Sequence, residues 1–131
     1  MGYDIRFKRV YDPATDADGA RVLVDRLWPR GQRKDALKLS RWCKNAAPSS
    51  ELRRAWHQGG IDAQEFARCY AQELKDNAEA LIPLMRDARE GPLTLLTATR
   101  DPQQSYLTVL RAALTRELEH EDLEAESRAR K

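Results

Sequence analysis

Asp25, Arg26, Arg30 and Arg33 follow directly on the apolar run Val22-Leu23-Val24. Arginine presents a planar fork that grips phosphate or carboxylate through paired hydrogen bonds. Arg26 and Arg30 are therefore candidate anion ligands, with the flat ring of Trp28 between them. Asp25 is a candidate general base or ligand-orienting group. Arg100 and Asp101 follow a second apolar run, Leu93–Ala98. Asp101 could act as Asp25 does, and Arg100 could bind charge. Arg53 adds a further guanidinium and Tyr70 a phenol donor. If the two runs are parallel strands, both charged ends open on one sheet edge, where α/β sheets bind ligands. The competing reading of each residue alone is a structural Asp–Arg pair closing a strand end.

Other chemistries fail on spacing. A cysteine phosphatase needs an arginine six residues after its cysteine, yet Ser49 follows Cys43 at that distance and Lys75 follows Cys69. The chain has no P-loop glycine-lysine pattern and no dinucleotide glycine fingerprint. A Ser-His-Asp triad would have to use His57, beside a Gly-Gly turn, or His120, in a charged tail. Two Cys and two His without paired spacing do not make a zinc site. Asp16 and Asp18 open like a calcium loop, but no acid closes it. No metal is assigned, and no cofactor is named.

The elements that must position these residues follow from periodicity. Ile5 and Phe7 alternate with Arg6 and Lys8, which predicts a half-buried strand within Tyr3–Tyr11. Asp12 to Gly19 is dense in turn formers. The run ending at Asp25 predicts a second strand, stopped by Pro29 and Gly31, with the Trp28 ring buried against the sheet edge. Leu37 to Asn45 is ambiguous and could hold a short exposed strand. A serine cap before Glu51 predicts a helix ending by Gly59-Gly60. Asp62 with Glu65 opens another, carrying Phe66, Tyr70 and Leu74 on one face. A third begins near Pro83 and stops at Gly91-Pro92. Leu93–Ala98 reads as a central strand. Asp101 and Pro102 then predict the cap of a last helix with Leu107, Leu110, Leu114 and Leu118. The expected fold is α/β: a small, mostly parallel sheet flanked by helices, three-layered and Rossmann-like. Residues 1–119 form one α/β domain, and 120–131 a charged, frayed helical tail.

The chain of 131 residues is 41% hydrophobic and 34% charged, with a net charge of +2. That suits one soluble domain. No apolar run reaches the roughly 20 residues of a membrane helix, and the N-terminus lacks a signal-peptide core. These features predict a cytoplasmic protein, in which Cys43 and Cys69 are free thiols.

Gly19 with Arg21-Val22-Leu23-Val24-Asp25-Arg26-Leu27-Trp28-Pro29-Arg30-Gly31 resembles the signature of the YeaO-like family of uncharacterised bacterial proteins. The likeness continues through Trp42, Lys44, Ala47-Pro48-Ser49, Leu52-Arg53, Glu65-Phe66, Tyr70, Glu73-Leu74, Thr94-Leu95-Leu96 and Asp101. It implies a compact α/β fold and brings no established reaction. The chain departs from the family's pattern at Ala55 to Gln58, at Thr97 and at Gln104 to Tyr106, where relatives often carry aromatic residues or histidines. If those histidines did acid–base work, this chain has lost it or moved it to His57. The leading expectation is binding of an anionic small ligand, such as a nucleotide, at the Arg-rich loop, with or without an enzymatic step. The alternatives are a nucleic-acid-associated module using Trp28 and Trp42 within the basic stretch from Arg26 to Lys44, and a self-associating protein.

Overall fold

The computed structural model describes residues 2–130. It holds one four-stranded sheet of β1 (Ile5–Arg9), β2 (Ala20–Leu23), β3 (Arg41–Trp42) and β4 (Leu93–Thr97). The order is β1-β4-β2-β3, and all three pairings are parallel. The helices are α1 (Lys34–Leu37), α2 (Ser50–His57), α3 (Ala63–Asp76), α4 (Ile82–Glu90) and α5 (Leu107–Ala129). The fold is α/β, as the run lengths predict.

Every residue of β4 is buried, because β1 and β2 cover its edges and both faces are packed. That is why it reads as a continuous apolar run, whereas β1 alternates. On one face Ile5, Phe7, Val22, Leu93 and Leu95 join a core built with α2, α3, α4 and α5. On the other, Leu23 and Leu96 meet Val10, Leu37, Trp28, Leu39 and Trp42. The layers are thus uneven, with four helices on one side and only α1 and loops on the other.

The ambiguous segment Leu37 to Asn45 opens on the last residue of α1 and continues through a left-handed Lys38 at φ 48° and the two-residue β3 into a 3₁₀ turn, Lys44–Ala46. Such a short strand needs help from side chains. Arg41 donates to both Asp87 carboxylate oxygens at 2.8 and 2.9 Å, and the Trp42 indole donates to Asp25 O at 2.7 Å.

The connection from β1 to β2 crosses β4 without an α-helix. It is fixed by Asp18, buried under Lys8, Arg21 and Thr15. Burial pushes that carboxyl up, but hydrogen bonds from Thr15, Lys8 and Arg21 outweigh it and hold the group well below the usual range. Gly19 follows at φ 64°, and a β-carbon there would lie 2.2 Å from Pro92 O. Only glycine allows that approach.

One sequence expectation needs correcting. The Asp101 side chain makes no capping bond; Pro102–Gln104 is a single 3₁₀ turn, and α5 starts at Leu107, whose N–H donates to Ser105 Oγ. The break falls at Ser105, whose extended backbone (φ −97°, ψ 179°) separates the turn from α5. The charged segment from His120 is helical to Ala129, and Arg89 of α4 pairs with Glu121 and Asp122.

Candidate functional site

β2 and β4 are neighbours, but the chain leaves them toward opposite faces. From β2 it goes to α1, and from β4 to α5. Such a divergence leaves a crevice beyond the carboxyl ends of the strands. Here it is a cleft of about 620 Å³, within the usual range for small-molecule sites. Its floor is Asp25, Ala98, Thr99 and Tyr106; one wall is the loop Leu27-Trp28-Pro29-Arg30; the other is α2 and α3.

Asp25 ties the two strand ends together. One oxygen accepts from Thr97 Oγ1 at 2.6 Å and from the Tyr106 hydroxyl. The other accepts from Ala98 N at 2.7 Å. The Tyr106 hydroxyl also lies 2.7 Å from Val24 O. Burial, then the charge of Asp25, holds this phenol protonated far above its ordinary 10.0. The carboxylate is thus occupied by the protein's own donors, which is a positioning role and a poor one for a general base.

Arg26 is also structural in part. It donates to Pro48 O at 3.1 Å and Ala47 O at 2.9 Å, tying the loop to the segment that precedes α2. Those two carbonyls precede a helix start and need donors from elsewhere. Arg30 is exposed and Arg53 half-buried, and both line the cleft. Among the described residues neither joins an ion pair or a side-chain hydrogen bond. The cleft therefore carries three guanidinium groups against one carboxylate that is already satisfied.

α2 is held by its cap. Ser49 Oγ accepts from Leu52 N at 3.1 Å, while Glu73 of α3 takes both the Ser49 N–H and its hydroxyl. This fixes Arg53, Trp56 and His57, which share one side of the helix by their i, i+3, i+4 spacing. Trp56 packs on Phe66 at 5.3 Å, Phe66 on Tyr70 at 6.3 Å, and Tyr70 on Tyr106 at 5.7 Å. An aromatic row thus runs from the rim of the cleft to its floor.

The remaining expected residues lie elsewhere. Tyr70 is fully buried, its hydroxyl donates to Ala46 O, and burial drives its phenol far above the usual range. It supports the aromatic row and does not reach the cleft surface. Arg100 and Asp101 are exposed and do not line the cleft. The 3₁₀ turn at Pro102 carries the chain past them. Trp28 does line it, but half-buried rather than enclosed. Its edge meets Trp42 at 5.3 Å and its N–H donates to Gln32 O.

Trp56, Phe66, Gln104 and Tyr106 were not assigned to a site by the sequence, and His57 only as the place to which lost acid–base work could have moved, yet all five line the cleft. The signals were the helical spacing of Arg53 and Trp56, and the departures from the family pattern at Trp56, His57, Gln104 and Tyr106; Phe66, part of the matched pattern, carried none. Among the described residues no three His, Cys, Asp or Glu side chains gather as metal ligands. Cys43 and Cys69 are free thiols outside the cleft. No described helix is long and apolar enough to cross a membrane.

Comparison with known proteins places the chain in a family. The chain is 44% identical to the uncharacterised protein YeaO of Escherichia coli K12 over 107 residues, covering 82% of this chain and 93% of that one. It is likewise 44% identical to the uncharacterised protein Rv3073c of Mycobacterium tuberculosis H37Rv over 110 residues, 84% of this chain and 92% of that one. No solved structure matches. The family model described as the inactive DUF488-N3 subclade matches residues 4–130. The chain therefore belongs to the inactive DUF488-N3 subclade and is a YeaO-like protein.

Proposed function

We propose that the cleft binds a small anion, phosphate- or carboxylate-bearing, and that the site binds without catalysing. The observation that carries this reading is the pair Arg30 and Arg53, which line one concave site and, among the described residues, pair with no carboxylate. Unpaired guanidinium groups in a shared cleft favour a bidentate anion. The expected base, Asp25, is occupied by three donors, and the family description is of an inactive subclade. Both support binding over turnover.

The test is calorimetric titration with inorganic phosphate, acetate and nucleoside monophosphates. Arg53→Ala and Arg30→Ala should each weaken binding about tenfold or more, in keeping with the roughly 1.5–3 kcal/mol of a charged hydrogen bond. Stability should stay within about 0.5 kcal/mol, since neither residue holds a protein partner. Binding unchanged in both variants would sink the reading.

A nucleic-acid role is less well supported. Trp28 and Trp42 pack edge-on against each other and both indole N–H groups are used internally. That leaves little free ring face for a base to stack on.

A further inference from the structure

The apolar wall of the cleft narrows the class of ligand. Five large apolar side chains stand exposed among the described residues: Tyr11, Leu27, Trp56, Ile82 and Leu123. The first three line this one cleft. Exposed apolar side chains scattered singly need no explanation, but a group gathered in a concavity does. A small hydrophilic anion would satisfy the arginines and leave these three surfaces wet.

Trp56 is 38% exposed, and its other side rests on Phe66. Phe66 is backed by Tyr70, and Tyr70 in turn by Tyr106. The indole is thus a fixed platform that has no room to fold inward. Arg53 stands one helical turn before it on α2, so guanidinium and indole face the same space. A rigid ring on Trp56 would carry its own charged group within the domain of Arg53 and Arg30.

We infer that the ligand is a flat aromatic ring bearing a phosphate or carboxylate, with the ring on Trp56 and the anion on Arg53 and Arg30. This rests on the anion-binding reading and goes further by making Trp56 the residue that sets specificity.

Full-length chain is titrated with matched pairs of probes. AMP is compared with ribose 5-phosphate, phenyl phosphate with inorganic phosphate, and benzoate with acetate. The aromatic member of at least one pair should bind roughly tenfold tighter, as stacking on an aromatic side chain provides. Trp56→Leu should erase that preference, Trp56→Phe should keep most of it, and Arg53→Ala should weaken both members of the pair. Phenyl phosphate against benzoate tells a phosphate ligand from a carboxylate. Circular dichroism confirms that each variant is folded, as expected for a side chain at the rim. Equal affinity within every pair, or a preference that survives Trp56→Leu, overturns the aromatic inference while anion binding stands. No binding of any probe to the wild type overturns both. A dimer that Trp56→Leu dissociates, with no probe bound, assigns the cleft to a second copy and also overturns the inference.

Discussion

A carboxylate at a strand end reads the same in sequence whether it meets a ligand or closes the sheet. Asp25 does the second, because Thr97, Ala98 and Tyr106 arrive from parts of the chain some 70 to 80 residues away. Nothing local to Asp25 announces them. Arg26 was legible as a strand-end cation but not as a clamp, since its acceptors are backbone carbonyls of Ala47 and Pro48. Arg30 and Arg53 remain candidates because among the described residues no side chain pairs with them. The buried phenols give this scale its own pH test. Tyr70 and Tyr106 are held protonated in the folded chain by burial, and Tyr106 also by Asp25. Unfolded, each would ionise near 10.0. Folding raises both values, so their contribution is fully present below pH 10 and is lost as pH rises beyond it. Stability should fall by about 1.4 kcal/mol per pH unit for each tyrosine. Urea midpoints between pH 8 and 11 measure the slope. Tyr70→Phe should flatten it, and an unchanged slope would mean that the phenol ionises freely in the native state.

Elements were legible where period and caps agree. Ser49 and Asp62 cap α2 and α3 with the expected bonds, and β4 is the buried central strand its apolar run implies. The places that were not legible are those where tertiary contacts make or break an element. β3 is too short to carry a pattern and depends on Asp87 from α4. The Pro102 turn interrupts what reads as one cap and one helix. Gly19 was legible only as part of a motif; its reason is the Pro92 carbonyl beside it. Gly19→Ala should therefore destabilise by about 1–3 kcal/mol from backbone strain alone, and by more if Pro92 cannot yield. A thermal midpoint within a degree of wild type would show that the β1–β2 connection can move. The signature glycine would then have some other purpose than close packing.

At the scale of the molecule, the sheet order could not be read from local pattern, because it depends on which strands meet across long separations. The charged C-terminal segment is the outer part of α5, with its last buried residue at Leu118. A chain ending at Glu119 should keep its fold, with a melting midpoint lowered by roughly 5 °C or less, because the pairs lost with Arg89 are solvent-exposed. Collapse of that variant would make the segment part of the domain's core structure. The position of β4 has a different consequence, in time rather than in space. β1 and β2 touch each other nowhere in the sheet; each is paired through β4, whose residues come some 70 positions after β2. During synthesis β1 must wait unpaired, and β2 with only the two-residue β3 beside it, while α2, α3 and α4 emerge. The loop that closes β2 onto β4 is long, and such non-local pairing slows folding. A nascent chain halted at Pro92 should show helical signal without protected β1 amides in hydrogen exchange. The edges of β1 and β2 that β4 will cover are the surface a chaperone would meet first.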